Sequence, residues 1–260
     1  MKGRAPIQVE SLGVDNKGLN ATLDPACPQL PPASRRARHS HAGLRGLALA
    51  FALVCAMLAD SGVFAWDQDR MLAAASKVGP GALAGVRALL PLLAAAQPLD
   101  DTAKLVAIND FFNRRIVFRD DQEVWNLPDY WASPLETLNQ GQGDCEDYAV
   151  AKYFSLLALG VPTAKLRLVY VRAEMGGPGG AQLPHMVLAY YGAPGAEPMI
   201  LDNLIGELRS ASRRSDLTPV FSFNSEGLWQ GVGGASAGDP VARLSRWRGV
   251  LAKTRTEGFE

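Results

Sequence analysis

The stretch Gly141-Gln142-Gly143-Asp144-Cys145-Glu146-Asp147-Tyr148 carries the strongest structural signal in this sequence. Two glycines followed by an aspartate are typical of a turn and a helix N-cap, so we predict a helix that begins at Cys145. The helix is predicted to run to about Leu159, because Gly160 and Pro162 are helix-ending residues. Its residues are apolar on nearly all sides, which indicates a buried central helix.

Three strand-like runs follow this helix, at residues 165–172, 185–191 and 198–202. An antiparallel sheet packed on the central helix is the simplest arrangement of these elements. The predicted fold class is therefore α+β. Farther along, residues 221–224 are predicted to form a short strand, and residues 241–257 a basic amphipathic helix.

The segment before the central helix is predicted to form a helical N-terminal lobe. Residues 67–97 are rich in Ala and Leu and form two helices, separated at Gly79-Pro80-Gly81. A third helix begins near Asp100-Asp101, which supply an N-cap and first-turn acids. Residues 116–141 are expected to be a long loop, because prolines within them discourage regular structure.

The N-terminal quarter of the chain differs from the rest. Residues 1–34 are interpreted as a disordered extension, or as the result of a translation start placed too far upstream. A basic stretch, a short apolar run and a small-residue pattern make residues 35–65 a secretory signal peptide with cleavage after Ala65. An uncleaved membrane anchor is the alternative. The functional domain is then residues 66–260.

Cleavage after Ala65 would leave one cysteine, Cys145, and one histidine, His185. A single cysteine forms no internal disulfide, so it is either a buried core residue or a free thiol kept for chemistry. The formal net charge of the full chain is zero, and nothing in the composition indicates a nucleic-acid partner.

The spacing of these residues favours a cysteine nucleophile. A thiolate at a helix start is stabilised by the helix dipole and by free backbone N–H groups, which describes Cys145. We expect His185 to open the second strand and Asp202 to close the third, so that antiparallel pairing brings them to one end of the sheet. Asp202 would then orient the imidazole. The structural alternatives are a core cysteine, a structural histidine and a simple turn at Asp202.

Acids surround the thiol, and they raise a physical problem. Asp144, Glu146 and Asp147 disfavour a thiolate at Cys145, so a positive charge must offset them. A bound Ca²⁺ would do so, whereas the alternative is that these acids only cap the helix. Three further acids would join the calcium site if their loop folds back onto it: Asp120, Asp121 and Glu123.

Several segments together resemble a known family. They are Gly143-Asp144-Cys145-Glu146-Asp147-Tyr148-Ala149 with Ala151-Lys152-Tyr153-Phe154, Phe111-Phe112-Asn113-Arg114-Arg115-Ile116, Asp129-Tyr130-Trp131-Ala132, His185-Met186-Val187-Leu188-Ala189-Tyr190-Tyr191, Leu201-Asp202-Asn203-Leu204, Pro219-Val220-Phe221-Ser222-Phe223-Asn224 and Arg243-Leu244-Ser245-Arg246-Trp247. These segments resemble the bacterial transglutaminase-like cysteine proteinases of the LapG type. The resemblance covers about residues 67–257.

The resemblance implies a periplasmic, calcium-dependent endopeptidase with a papain/transglutaminase-like fold. The substrate of this family is a large surface adhesin of biofilm-forming bacteria. It is cut in its N-terminal region after a di-alanine, which releases it and promotes biofilm dispersal. An inner-membrane cyclic-di-GMP receptor restrains the protease by sequestering it.

Carried over to this sequence, the resemblance makes Cys145 the nucleophile, His185 the general base and acid, and Asp202 the orienting carboxylate. The calcium-linked acids of the family fall on Asp144, Glu146 and Asp147. Three aromatic residues line the cleft, form the receptor surface or belong to the core: Trp125, Tyr130 and Trp131. Two other functions stay open, a transglutaminase or amidase with the same triad and a non-catalytic, calcium-dependent binding protein.

Overall fold

The computed structural model describes residues 66–259. It begins with three helices, α1 (Gln68–Val78), α2 (Pro80–Ala96) and α3 (Asp101–Arg115). The carboxylate of Asp100 accepts the backbone N–H of Ala103 at 2.8 Å and so caps α3. These helices confirm the predicted helical N-terminal part of the fold. The predicted extension and signal peptide, residues 1–65, lie outside the described residues.

The segment predicted as one long loop contains regular structure, so that prediction was wrong. It holds strand β1 (Val117–Phe118), helix α4 (Asp121–Val124), helix α5 (Pro134–Gln140) and strand β2 (Gln142–Gly143), and β1 pairs with β2 in parallel. Pro134 opens α5 because the first turn of a helix needs no proline N–H. Ser133 and Glu136 close this helix start as a capping box.

The central helix α6 spans Cys145–Ala158, and all but one of its residues are buried. Gly160 follows it with a φ of 78°, a left-handed conformation that favours glycine at a helix end. Near its C-terminal half, Tyr153 and Phe154 pack against Trp247, and Trp247 packs against Phe223 of the sheet. This aromatic cluster confirms the predicted buried central helix.

The sheet is antiparallel and larger than predicted. Its seven strands, in the order β6-β5-β4-β3-β7-β8-β9, are β3 (Leu166–Met175), β4 (Ala181–Tyr190), β5 (Met199–Leu201), β6 (Arg209–Ser210), β7 (Leu217–Phe223), β8 (Leu228–Gln230) and β9 (Ser236–Gly238). His185 is the fifth residue of β4, so the expectation that it opens this strand was wrong. Asp202 follows directly after β5, as expected for the end of the third strand.

The chain ends in two helices, α7 (Pro240–Arg243) and α8 (Ser245–Glu257). The single helix predicted for residues 241–257 is interrupted because Leu244 has an extended backbone, with φ −116° and ψ 91°. Trp247 of α8 closes the core around α6. Across residues 66–259, no helix is both long enough and apolar enough to cross a membrane.

Candidate active site

The start of α6 is shaped by two acids and a glycine. Asp144 is the N-cap, and the carboxylate of Asp147 accepts the backbone N–H of Asp144 at 3.4 Å. Asp147 also accepts the N–H of Ala132 at 2.8 Å, which ties the segment before α5 to α6. A Cβ on Gly143 would lie 2.6 Å from Asp147 Oδ2. Glycine is therefore needed at this position for the turn to close on the helix.

Cys145 is the first residue of α6 and is buried. Its Sγ donates a hydrogen bond to Glu146 Oε2 at 3.0 Å. Helix α6 packs against β4, the strand that carries His185. The helix dipole favours a negative charge at this end, whereas the neighbouring carboxylates oppose it. Chemistry at this thiol therefore requires that the acids be compensated.

His185 and Asp202 are brought together as a buried pair. His185 Nε2 lies 2.8 Å from Asp202 Oδ1, which also accepts the backbone N–H of Leu204 at 3.0 Å. The pair forms because Leu188 of β4 is opposite Leu201 of β5, which places Asp202 beside the middle of β4. The contact engages Nε2 and leaves Nδ1 as the ring nitrogen for proton exchange.

The environment of Asp202 keeps it ionised. Burial alone would raise its pKa, but hydrogen bonding and charge from His185, the Leu204 N–H and the charge of Arg214 outweigh burial. The net effect holds the pKa of Asp202 below its usual range. An ionised carboxylate at this position can hold the imidazole in one orientation and stabilise its protonated form.

Sequence reasoning missed Arg214. Its Nη2 lies 2.7 Å from Asp202 Oδ2, and the guanidinium also contacts Asp216. Arg214 is buried, whereas its neighbour Arg213 is exposed. The sequence shows only two adjacent arginines, and nothing in their local pattern distinguishes the buried one from the exposed one.

Acids, four of them buried and Asp129 half-buried, form a cluster beside α6. One carboxylate oxygen each from Asp121, Asp144 and Asp147 lies within 4.8 Å of the others, and the same holds for Asp121, Asp129 and Glu146. A third group of the same kind joins Asp144 and Glu146 to the Cys145 thiol. The cluster thus reaches from the start of α4 to the candidate nucleophile.

The cluster contains Asp144, Glu146 and Asp147, the acids that the resemblance assigned to calcium, together with Asp121 and with Asp129, which was not predicted as a ligand. Asp121 folds back onto the site, which was the condition for its participation. Asp120 and Glu123 are exposed and belong to none of the groups that could hold a metal among residues 66–259. Asp129 was missed because it follows Asp121 at a distance in sequence that matches no common metal motif.

The donor set suits calcium. All of the clustered acids are hard oxygen donors, and Ca²⁺ takes six to eight such ligands. Burial raises the pKa of Asp147 well above its usual range, and the charge of Glu146 adds to this shift. Asp121, Asp129, Asp144, Glu146 and Asp147 are the residues that would hold the ion.

Helix α3 fixes the segment that carries Asp202. Asn113 donates from Nδ2 to the Asp202 carbonyl at 2.7 Å, and Asn109 donates from Nδ2 to the Gly206 carbonyl at 2.7 Å. Asn109 Oδ1 in turn accepts from the buried Lys152 at 2.9 Å. Burial lowers the pKa of Lys152 to about 7. These bonds connect the N-terminal helices and α6 to the strand end at Asp202.

The three aromatic residues for which the sequence left several interpretations are packed against other side chains. Trp131 is buried and stacks on Phe223 with ring centroids 5.7 Å apart. Trp125 lies 4.5 Å from Tyr130, measured between ring centroids. The Tyr130 hydroxyl donates to Glu136 and accepts from Lys253. Trp131 is therefore a core residue, and Tyr130 belongs to a polar network between α5 and α8.

Comparisons with known proteins show which chains this one is similar to. Residues 94–219 match the family model of the bacterial transglutaminase-like cysteine proteinases. The structure of EGTA-treated LapG from Legionella pneumophila is 34% identical, with a TM-score of 0.63, and the match covers 74% of this chain and 98% of that one. Calcium-bound LapG from the same organism is 33% identical, with a TM-score of 0.63, and the match covers 72% and 99%.

No curated protein sequence matches the chain. The match to LapG nevertheless spans almost the whole of that protein at more than 30% identity, and the fold is that of its transglutaminase-like neighbours. One of these neighbours was solved with calcium, which agrees with the acidic cluster found beside α6. The chain therefore belongs to the bacterial transglutaminase-like cysteine proteinase family, and it is a cysteine protease.

Proposed function

We propose that this protein is a periplasmic, calcium-dependent endopeptidase in which Cys145, His185 and Asp202 form the catalytic triad. The observation that carries the proposal is the buried His185–Asp202 contact of 2.8 Å on a strand packed against the helix that Cys145 opens. Hydrolysis of a peptide by a cysteine nucleophile requires a histidine base beside the thiol and a carboxylate that orients the histidine.

The reaction follows acyl-enzyme chemistry. His185 accepts the Cys145 proton at Nδ1, and the thiolate attacks the scissile carbonyl carbon to form a tetrahedral intermediate. The backbone N–H of Cys145 at the helix start is one donor to the oxyanion. The imidazolium then gives its proton to the leaving amine. Water, deprotonated by His185, attacks the thioester, which releases the acid and restores the thiol.

Asp202 supports each of these steps without changing its own protonation. Its carboxylate fixes the His185 ring through Nε2 and stabilises the imidazolium. Calcium, when bound, would neutralise the acids beside the nucleophile and order the loop before α6. Glu146, the acceptor of the thiol hydrogen bond, belongs to that acidic cluster. The charge on the acidic cluster, with or without calcium, therefore affects the ionisation of the Cys145 thiol.

The proposed substrate is the N-terminal region of a large surface adhesin, cut after a di-alanine. Release of the adhesin would promote biofilm dispersal, and an inner-membrane cyclic-di-GMP receptor would restrain the protease. The likeness to LapG over nearly its whole length supports this substrate class and partner. The signal-peptide pattern of residues 35–65 supports the periplasm as the compartment.

The test is cleavage of a purified adhesin N-terminal fragment that contains a di-alanine. Wild-type protein with calcium is expected to give two products, and Cys145→Ala or excess EGTA should abolish both. A fragment with the di-alanine replaced by two lysines is the substrate control. Intact fragment in every sample, or incorporation of an added amine into a glutamine peptide in place of hydrolysis, would refute the proposal.

A further inference from the structure

Arg214 is a buried cation that contacts the site from the side of Asp202 opposite His185. Asp202 Oδ1 lies 2.8 Å from His185 Nε2, and Asp202 Oδ2 accepts a hydrogen bond from Arg214 Nη2 at 2.7 Å. Both oxygens of this carboxylate are thus held by charged or chargeable groups. Its position is fixed along both of its C–O directions.

Arg214 is itself anchored by a second carboxylate. Its Nε lies 3.0 Å from Asp216 Oδ1, and its Nη2 lies 2.8 Å from Asp216 Oδ2. Such two-point contacts fix the plane of a guanidinium. Asp216 therefore orients Arg214, Arg214 orients Asp202, and Asp202 contacts the imidazole.

Apart from these two carboxylates, Arg214 lies next to apolar side chains. It borders a cavity of about 270 Å³ that is lined by side chains of the sheet, including Val187, Ile200 and Leu217. A buried ion pair contributes little to stability after the loss of solvation, and apolar side chains of similar size often replace it without loss. The Arg214 side chain is only 2% exposed, which makes a purely stabilising role a weak explanation for its presence.

We propose that Arg214 is a positioning residue for the catalytic triad, which keeps the Asp202 carboxylate in register with His185. This inference rests on the proposed function, because it assigns a role within the proposed triad. Arg214 contacts the Asp202 carboxylate and acts on His185 through it. Its loss should lower turnover and leave substrate binding unchanged.

The experiment measures kcat and KM on the di-alanine adhesin fragment for wild type, Arg214→Ala, Arg214→Lys and Asp216→Ala. Groups that orient the ligands of a metal typically contribute 10- to 100-fold to metal affinity or activity. Arg214 orients a catalytic carboxylate in the same way, so we expect Arg214→Ala to lower kcat by roughly 10- to 100-fold. KM should stay within about twofold. Arg214→Lys keeps one charge and should recover part of the loss. Asp216→Ala, which removes only the anchor, should show a smaller decrease.

Two controls separate positioning from a structural defect. Arg213→Ala changes the adjacent exposed arginine and should leave kcat within about twofold. Millimolar guanidinium chloride should partly restore Arg214→Ala, since the truncation leaves space beside the cavity, and should not affect Arg213→Ala. Thermal melting identifies variants that fail to fold. If Arg214→Ala does not fold, the kinetic comparison is made with Arg214→Lys.

The outcomes distinguish this inference from the proposed function. If wild type cleaves, Cys145→Ala does not, and Arg214→Ala keeps its kcat within about twofold, the inference is overturned and the protease assignment stands. The inference is also overturned if Arg214→Ala folds and its lower activity comes from a higher KM and not from a lower kcat. If wild type and Cys145→Ala are equally inactive, the proposed function fails first.

Discussion

Replacing Asp121 by Asn should separate the stability of the calcium-free protein from its response to calcium. Asp121 belongs to both acidic groups that lie away from the thiol, and its side chain is buried. Asn has nearly the same shape and can still accept the backbone N–H of Tyr130, which lies 2.6 Å from Asp121 Oδ2. The substitution therefore removes one charge with little change in packing.

The magnitude follows from the distances. Two carboxylates with oxygens at the 4.8 Å limit repel by about 3 kcal/mol at an effective dielectric constant of 20, when both are ionised. Protonation of Asp147, whose pKa is raised by burial, relieves part of this repulsion. We expect Asp121→Asn to keep or increase stability without calcium. A tenfold weaker calcium affinity would remove about 1.4 kcal/mol of calcium-dependent stabilisation.

The assay is thermal unfolding in EGTA and in millimolar calcium. For a domain of this size, about 1 kcal/mol corresponds to roughly 2–4 °C in Tm. The calcium-induced increase in Tm should therefore be smaller in Asp121→Asn by roughly 3 °C or more. Asp120→Asn is the matched control, because Asp120 is the exposed neighbour outside the cluster. An equal calcium response in Asp121→Asn and wild type would refute the assignment of Asp121 to the site.

Three further substitutions test other parts of the structure. Gly143→Ala places a Cβ 2.6 Å from Asp147 Oδ2 and should weaken the calcium response in the same melting assay, whereas Gly206→Ala, with open space around its Cβ, should not. Trp247→Ala should destabilise the protein by about 3–5 kcal/mol in urea unfolding, because it empties the centre of the aromatic cluster; a loss below 1 kcal/mol would contradict that packing. Burial raises the pKa of Glu257 from 4.5 to about 7, so the folded state retains a proton that the unfolded state loses between these values, and stability falls as pH rises. Glu257→Gln should match wild type near pH 4 and exceed it at pH 8 by up to about 3 kcal/mol, and a difference independent of pH would count against this account.

Local signals in the sequence were enough to predict the central helix and the N-terminal helices. The turn before Cys145 and the cap at Asp100 depend on neighbouring residues alone, so they can be predicted without the fold. Pro134 was misinterpreted because a proline that breaks a helix in its interior can also begin one. The residue that decides between these roles is Ser133, whose capping box identifies a helix start.

The limits of the strands were harder to predict. Strand β4 begins at Ala181, where the side chains are exposed and polarity does not alternate, so the apolar run from His185 was taken as its start. The additional strands β8 and β9 are only three residues long; β8 depends on pairing with β7, and β9 on pairing with β8. Such strands carry little periodicity of their own, because tertiary pairing defines them.

Residues that join the site from distant segments were the ones missed. Asp129 reaches the acidic cluster through the turn after α4, and Arg214 reaches Asp202 from the segment before β7. Neither lies in a motif with a fixed spacing. The pair of His185 and Asp202 was predicted from antiparallel pairing, but not its position: His185 lies within β4, and the short strand β5 ends beside it.

The alkylation rate of Cys145 near neutral pH in calcium shows directly whether His185 activates the Cys145 thiol. Iodoacetamide modification can be followed by mass spectrometry of the peptide that contains Cys145, in wild type and in His185→Ala. We expect wild type to react at least tenfold faster than His185→Ala and faster than a free thiol. Equal rates in the two proteins would contradict the activation of Cys145 by His185.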